Sequence, residues 1–173
     1  MDHDAWIEPM RQALAEANAA LEHGDVPVGA VLVGPVGPVV AADHNRREER
    51  GDATAHAEIL ALGAASQAVG QWRLDDATLY VTLEPCTMCC GAILLARVGR
   101  LVFGAADPRA GAVVSTARLL QGNPYRQAVE VVGGILADPR TMSRRWQRHR
   151  PDVPGLGDPG RHRSVEDRER EAG

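Results

Sequence analysis

Ala77-Thr78-Leu79-Tyr80-Val81-Thr82-Leu83-Glu84-Pro85-Cys86-Thr87-Met88-Cys89 is an apolar, β-rich run that passes directly into a Pro-Cys-x-x-Cys step. Ala77 to Leu83 has the length and composition of a buried strand. Pro85 suits the first position of a helix running to about Ala96, because its missing N–H has no helical partner there anyway. Leu101 to Gly104 and Ala128 to Val132 read as further strands. Residues 113 to 121 read as a helix, and 138 to 150 as a last helix.

Upstream, Val28 to Val33 and Val39 to Ala42 flank Gly34-Pro35-Val36-Gly37-Pro38, which predicts a hairpin. Met10, Leu14, Ala17 and Leu21 recur at helical spacing, so an opening helix is expected over residues 5 to 23. Pro9 lies near its first turn and Gly24 is its C-cap. A polar segment, Asp43 to Asp52, follows. Thr54 is placed to N-cap a second helix whose buried face carries Ile59 and Leu62. A hairpin followed by alternating strands and helices argues for an α/β fold, with helices covering a mixed sheet of roughly five strands.

With 173 residues, the chain has room for one domain with a substantial core. Aromatic residues make up only 3%, so that core must be built from Ala, Val, Leu and Ile. All 19 basic residues are Arg, set against 23 acidic ones for a net charge of −4. Such a chain is no general polyanion binder, although local Arg clusters can still hold phosphate. Met1-Asp2-His3-Asp4 is acidic and no apolar run approaches 18 residues, so neither a signal peptide nor a membrane span is expected. Pro151 to Gly173 holds three Pro, four Gly and ten charged residues and has little to bury. A domain over 4–150 with a disordered 151–173 tail is therefore expected.

The three cysteines, Cys86, Cys89 and Cys90, fall within five residues. That excludes a disulfide framework spread along the chain, points to a cytoplasmic protein and suggests metal or redox chemistry. Thr54-Ala55-His56-Ala57-Glu58 supplies an imidazole upstream. His56, Cys86 and Cys89 make a three-ligand zinc set with a fourth position open, the catalytic rather than the structural pattern. The step from Cys86 to Cys89 puts both sulfurs on one side of a helix's first turn, where the dipole favours thiolates. Glu58, two residues past His56, suits a group that moves protons beside the metal. This His-x-Glu and Pro-Cys-x-x-Cys arrangement is the known signature of zinc nucleobase deaminases. Cys90 directly follows Cys89, points elsewhere and reads as a small buried hydrophobe. A scaffold with structural zinc would need a fourth protein ligand and no adjacent carboxylate. A Cys-x-x-Cys redox pair is the other alternative.

At these residues the chain resembles the cytidine-deaminase-like superfamily, and within it the bacterial tRNA adenosine deaminases. The similar strings are Asp25 to Val33, His44-Asn45-Arg46, Thr54 to Leu62, Asp76 to Cys89, Arg100 to Ala105 and Gly133 to Asp138. The resemblance implies a three-layer α/β/α fold, one Zn²⁺ per subunit held by His56, Cys86 and Cys89, and Glu58 as catalytic proton shuttle. It implies substrate contacts from Asn45, Val28, Ala57 and Asp107. It also implies a homodimer that converts adenosine to inosine at the wobble position of a tRNA anticodon stem-loop. Deamination of a free base or nucleoside (guanine, cytosine or a related ring) by the same zinc site is the alternative. The chain departs from the family's pattern at Ala53, at Gly111 to Arg118, at Arg126-Gln127 and in the final helix. In that helix Arg144, Arg145 and Arg148 are suited to RNA phosphates and Trp146 to stacking an unpaired base, the bland reading being a solvated helix with Trp146 docked in the core.

Overall fold

The opening helix fixes how closely the first layer lies on the sheet. In the computed structural model, which describes residues 3–35 and 37–137, α1 (Ile7–Ala19) is flanked by 3-10 turns at His3–Trp6 and Ala20–His23. Gly24 closes it in the left-handed conformation (φ 74°), as its C-cap position requires. The buried stripe is Met10, Ala13, Ala17 and Ala20, while Leu14 and Leu21 are only half-buried. This rotates the predicted face by about one residue. The cause lies in the sheet: a Cβ on Gly29 would collide with the Ala13 carbonyl and the Ala17 backbone nitrogen. Only small side chains fit where helix and strand backbones come this close.

Five strands form one sheet in the order β2-β1-β3-β4-β5. The predicted hairpin is β1 (Gly29–Val33) with β2 (Val39–His44), antiparallel and starting at the pair Gly29 with His44. β1 also pairs antiparallel with β3 (Thr78–Leu83). β4 (Arg100–Ala105) and β5 (Glu130–Gly133) continue in parallel. Side chains alternate between two cores, as the period of a strand dictates. Val31, Tyr80 and Val102 pack with Met10, Ala13 and Ile135 on the α1 face. Ala30, Leu32, Leu79, Val81, Leu101 and Phe103 face α3 (Ala57–Val69) and α4 (Thr87–Leu95). The fold is therefore a three-layer α/β/α sandwich around a mixed five-stranded sheet. Leu79, Val81, Leu101 and Ile93 are fully buried, each stabilising the fold by roughly 1.5–3 kcal/mol.

Three local expectations are corrected. Thr54 does not cap α3: its N–H and hydroxyl both donate to Asp52 Oδ1 (2.8 and 2.7 Å), and the helix begins only after His56. Pro85 precedes the helix rather than opening it, with Cys86 as the capping residue of α4. Residues 113 to 121 are turns, not a helix, and the Glu84 carboxylate accepts from the N–H groups of Val113, Val114 and Ser115. A single helical turn not foreseen in the polar segment, α2 (Arg47–Arg50), is capped by Asp25. The expected helix over 138–150 and the tail over 151–173 lie outside the described residues.

Candidate metal centre and active site

Strand direction brings the candidate residues together. β1 runs antiparallel to β3, so Val28, just before β1, sits at the end of the sheet where β3 finishes. β2 runs back to the same end and delivers His44 and Asn45. β4 leaves there toward Asp107. The crevice beyond the carboxyl ends of parallel strands is where α/β sheets place their chemistry. Arg46 N donates to Ala55 O at 3.0 Å, tying the Asn45 segment to the one that carries His56.

His56 and Cys86 are the residues immediately before α3 and α4, so two helix N-termini converge on one point. His56 Nδ1 lies 3.7 Å from Cys86 Sγ and 3.5 Å from Cys89 Sγ, and the sulfurs are 3.7 Å apart. A tetrahedral zinc with bonds of about 2.3 Å to sulfur and 2.0 Å to nitrogen has ligand–ligand edges of about 3.5–3.8 Å. The three donor atoms already stand at those separations, so the residues present fit the ion. The Cys86 thiol is pushed down to about 3 by the Cys89 thiol and, after it, by His56. His56 is raised in turn, chiefly by its contact with Cys86. Cys90 is fully buried in the core, directs its thiol at Pro85 O and is pushed up to about 12 by burial, as its small-hydrophobe reading expects.

Glu58 stands in the first turn of α3 and is 4% exposed. Burial raises its carboxyl above the usual range, with His56 and the Cys89 thiol pulling the other way. Asn45 is equally buried. Its Nδ2 donates to Val26 O (3.2 Å) and Asp25 Oδ1 (3.4 Å), which sets the amide's orientation. Ala57 is fully buried, and Val28 packs against the α3 side of the core. Asp107 begins a turn: its Oδ1 accepts from Arg109 N at 3.0 Å. Arg144, Arg145, Trp146 and Arg148 lie outside the described residues.

Two acids that shape this end of the molecule were not singled out from the sequence. Asp25 is fully buried and accepts from the N–H groups of Glu48 (2.9 Å) and Glu49 (3.2 Å) as well as from Asn45. Glu84, also buried, accepts from the N–H groups of Asp107, Val113, Val114 and Ser115 at 2.8–3.1 Å, and from the Ser115 hydroxyl. Gly111 lies against it, where any Cβ would strike the carboxylate. The signal available in the sequence was position. Glu84 ends a buried strand and precedes Pro85, and Asp25 stands between Gly24 and an apolar run.

An α/β/α sandwich with a His-Cys-Cys triad and a buried glutamate at the strand ends defines a deaminase of the cytidine-deaminase-like class. The MafB19-like deaminase family model matches residues 1–137. The tRNA-specific adenosine deaminase of Bacillus subtilis is 49% identical over 129 residues, covering 75% of this chain and 80% of that one. The enzyme of the same name from Agrobacterium fabrum is 50% identical over 126 residues, covering 73% and 82%. A solved tRNA deaminase, from a study of A-to-I editing at the wobble position, superposes with a TM-score of 0.70 at 50% identity. The match covers 73% of this chain and 97% of that structure. Guanine deaminase from Bacillus subtilis gives 0.55 at 35% identity, over 61% and 66%. The chain belongs to the tRNA-specific adenosine deaminase family.

Proposed function

We propose that this protein is a zinc-dependent hydrolytic deaminase that converts adenosine to inosine, releasing ammonia, at the wobble position of a tRNA anticodon loop. The observation that carries the chemistry is the tetrahedral spacing of His56 Nδ1, Cys86 Sγ and Cys89 Sγ with a buried carboxylate beside them. The substrate rests on the roughly 50% identity to enzymes that carry that name. His56, Cys86 and Cys89 would hold one zinc per subunit, and the bound ion would supply the Lewis acidity that makes water a nucleophile near neutral pH. Glu58 takes the water proton, delivers it to the ring nitrogen of the base and then serves the departing amino group. Asn45 turns its Oδ1 toward the edge of the base, since Nδ2 is committed to Val26 and Asp25. Val28 and Ala57 wall the pocket, and Asp107 shapes the loop beside the substrate. Arg144, Arg145 and Arg148 meet phosphates and Trp146 stacks an unpaired base.

The likeness to guanine deaminase favours the second reading, a free base as substrate. An arginine-tRNA anticodon stem-loop, adenosine and guanine, each incubated with the zinc-loaded protein, separate the two. Inosine is expected only in the stem-loop, at a rate that falls steeply with salt. Equal turnover of stem-loop and adenosine would sink the tRNA reading.

The active unit we propose is a cytoplasmic homodimer. No helix of the described residues is long and apolar enough to cross a membrane. A groove between α3 and α4 is lined by Ile59, Leu62, Ala92, Leu95 and Trp72, with Trp72 61% and Leu95 56% exposed. We place the second copy of the chain on this apolar face, against the two helices whose N-termini present His56 and Cys86. Leu95→Glu is expected to halve the mass measured by sedimentation equilibrium; an unchanged dimer mass would refute this face.

A further inference from the structure

A second group of ligating side chains, separate from the catalytic triad, includes the residue next to Asn45 in the chain. It joins three separate segments: His23 at the end of the turn after α1, His44 at the end of β2, and Glu49 in α2. One ligand atom from each lies within 4.8 Å of the other two. None of these residues belongs to the site described above, and no step of the deamination uses them.

His44 is the informative member. Its side chain is 6% exposed, and its Nδ1 lies 2.9 Å from Glu16 Oε2. A carboxylate can only accept, so Nδ1 donates to it, and in the neutral ring Nε2 then keeps its lone pair. Nε2 is buried and has no hydrogen-bond partner. Leaving a buried acceptor unmade destabilises a fold, so a partner that satisfies it is favoured. A histidine whose one nitrogen donates to a carboxylate and whose other faces an open position has the arrangement of a metal ligand with its supporting acid.

The surroundings suit a cation. The rings of His23 and His44 are nearly parallel (5°), with centroids 5.7 Å apart. Stacked rings cannot both hold one ion in their planes, so the His23 ring must turn out of the stack to ligate an ion held by His44. Glu16, Asp43 and Glu49 surround the rings, and Arg46 is the cation that pairs with Asp43 (2.7 Å) and Glu49 (2.7 Å). Three carboxylates against the guanidiniums of Arg46 and Arg50, the second of which also acts on Glu49, leave one negative charge in excess. The hydrogen bond from Arg46 holds Glu49 below the usual carboxylate range, so it is ionised at neutral pH. A carboxylate has lone pairs for both the guanidinium and an ion. His23 and Glu49 are each about one-third exposed and can rotate to close the remaining distance, while His44 stays fixed.

We propose that His23, His44 and Glu49 form a second binding site for a divalent transition ion of the imidazole-preferring type, with zinc the reference case. The ion ties the end of α1 and the short α2 to β2, one residue from Asn45, and so braces the segment that orients the base. It acts as a structural brace outside the reaction.

Equilibrium dialysis of the full chain against zinc chloride, with metal content read by mass spectrometry, tests this directly. The native protein is expected to hold two equivalents, and His23→Ala, a change at an exposed ring that leaves the core intact, only one. His44→Gln is expected to do the same, and the exposed variant keeps the comparison valid if this buried one unfolds. Loaded with cobalt, a Cys86→Ser/Cys89→Ser variant is expected to keep one equivalent without sulfur-to-metal charge-transfer absorption. One equivalent in the native protein, or a second that survives His23→Ala, overturns the proposal.

Discussion

Glu58→Ala is expected to leave one zinc bound at the catalytic site and to lower ammonia release by about 10²–10⁴-fold or more, the range contributed by a positioned proton-transfer group. The two effects separate because the three donor atoms set the metal spacing without help from Glu58. The same substitution is expected to leave the melting temperature unchanged or slightly higher. Glu58 is 4% exposed, and burial disfavours its charged form; a desolvated carboxylate held for chemistry is a burden on the fold. Glu58→Gln keeps the shape and the burial but cannot shuttle a proton, so it should be as inactive as the alanine variant. Metal analysis, a thermal melt and an ammonia assay on the three proteins check all of this. Full activity in Glu58→Gln would remove the residue from the mechanism. Loss of zinc in either variant would reassign it to the metal shell.

The parts of this molecule that could be read from its sequence are those governed by local spacing. His56, Glu58, Cys86 and Cys89 form a site because two helices begin at fixed offsets from them, and those offsets are visible in the chain. The strands were legible for the same reason, since Ala77 to Leu83 and Leu101 to Gly104 are mostly apolar, β-rich runs that are almost wholly buried. What was not legible depends on partners far away in sequence. The buried stripe of α1 is decided by Gly29, which admits only the alanines at 13 and 17. The capping of α2 is decided by Asp25, more than twenty residues upstream. Thr54 was read as a cap because its pattern is right, but Asp52 lies two residues away and captures it first.

The misread helix over 113–121 has the same origin and leads to the second large effect. The backbone of that segment is held by a carboxylate at the end of another strand, a partner that local spacing does not reveal. Glu84 is 3% exposed and serves as acceptor for four backbone N–H groups and one hydroxyl. Burial works against its ionised form, yet the Ser115 hydroxyl and the N–H groups of Val114, Ser115 and Asp107 outweigh that and hold it below the usual range. Glu84→Ala leaves those donors without a partner in a site closed by Pro85 and Gly111. Each unmet buried donor destabilises by about 1–3 kcal/mol, and partial rehydration recovers some of it, so a net loss of about 3–5 kcal/mol is expected. For a domain of this size each kcal/mol lowers the melting temperature by about 2–4 °C, so a fall of roughly 6–20 °C follows. Glu84→Gln should do nearly as badly, because its NH2 group would face N–H donors. The loss should be local before it is global. Amide exchange at Val113, Val114 and Ser115 is expected to accelerate well below the melting transition, while the α1 face of the sheet stays protected. Ala112 N donates to Pro85 O at 2.8 Å, so loosening this loop also loosens the approach to Cys86. Zinc should therefore dissociate faster from the variant than from the native protein, although none of its ligands has been touched. Unchanged amide exchange across 113–115 in folded Glu84→Ala would show that the loop is held by something other than this carboxylate.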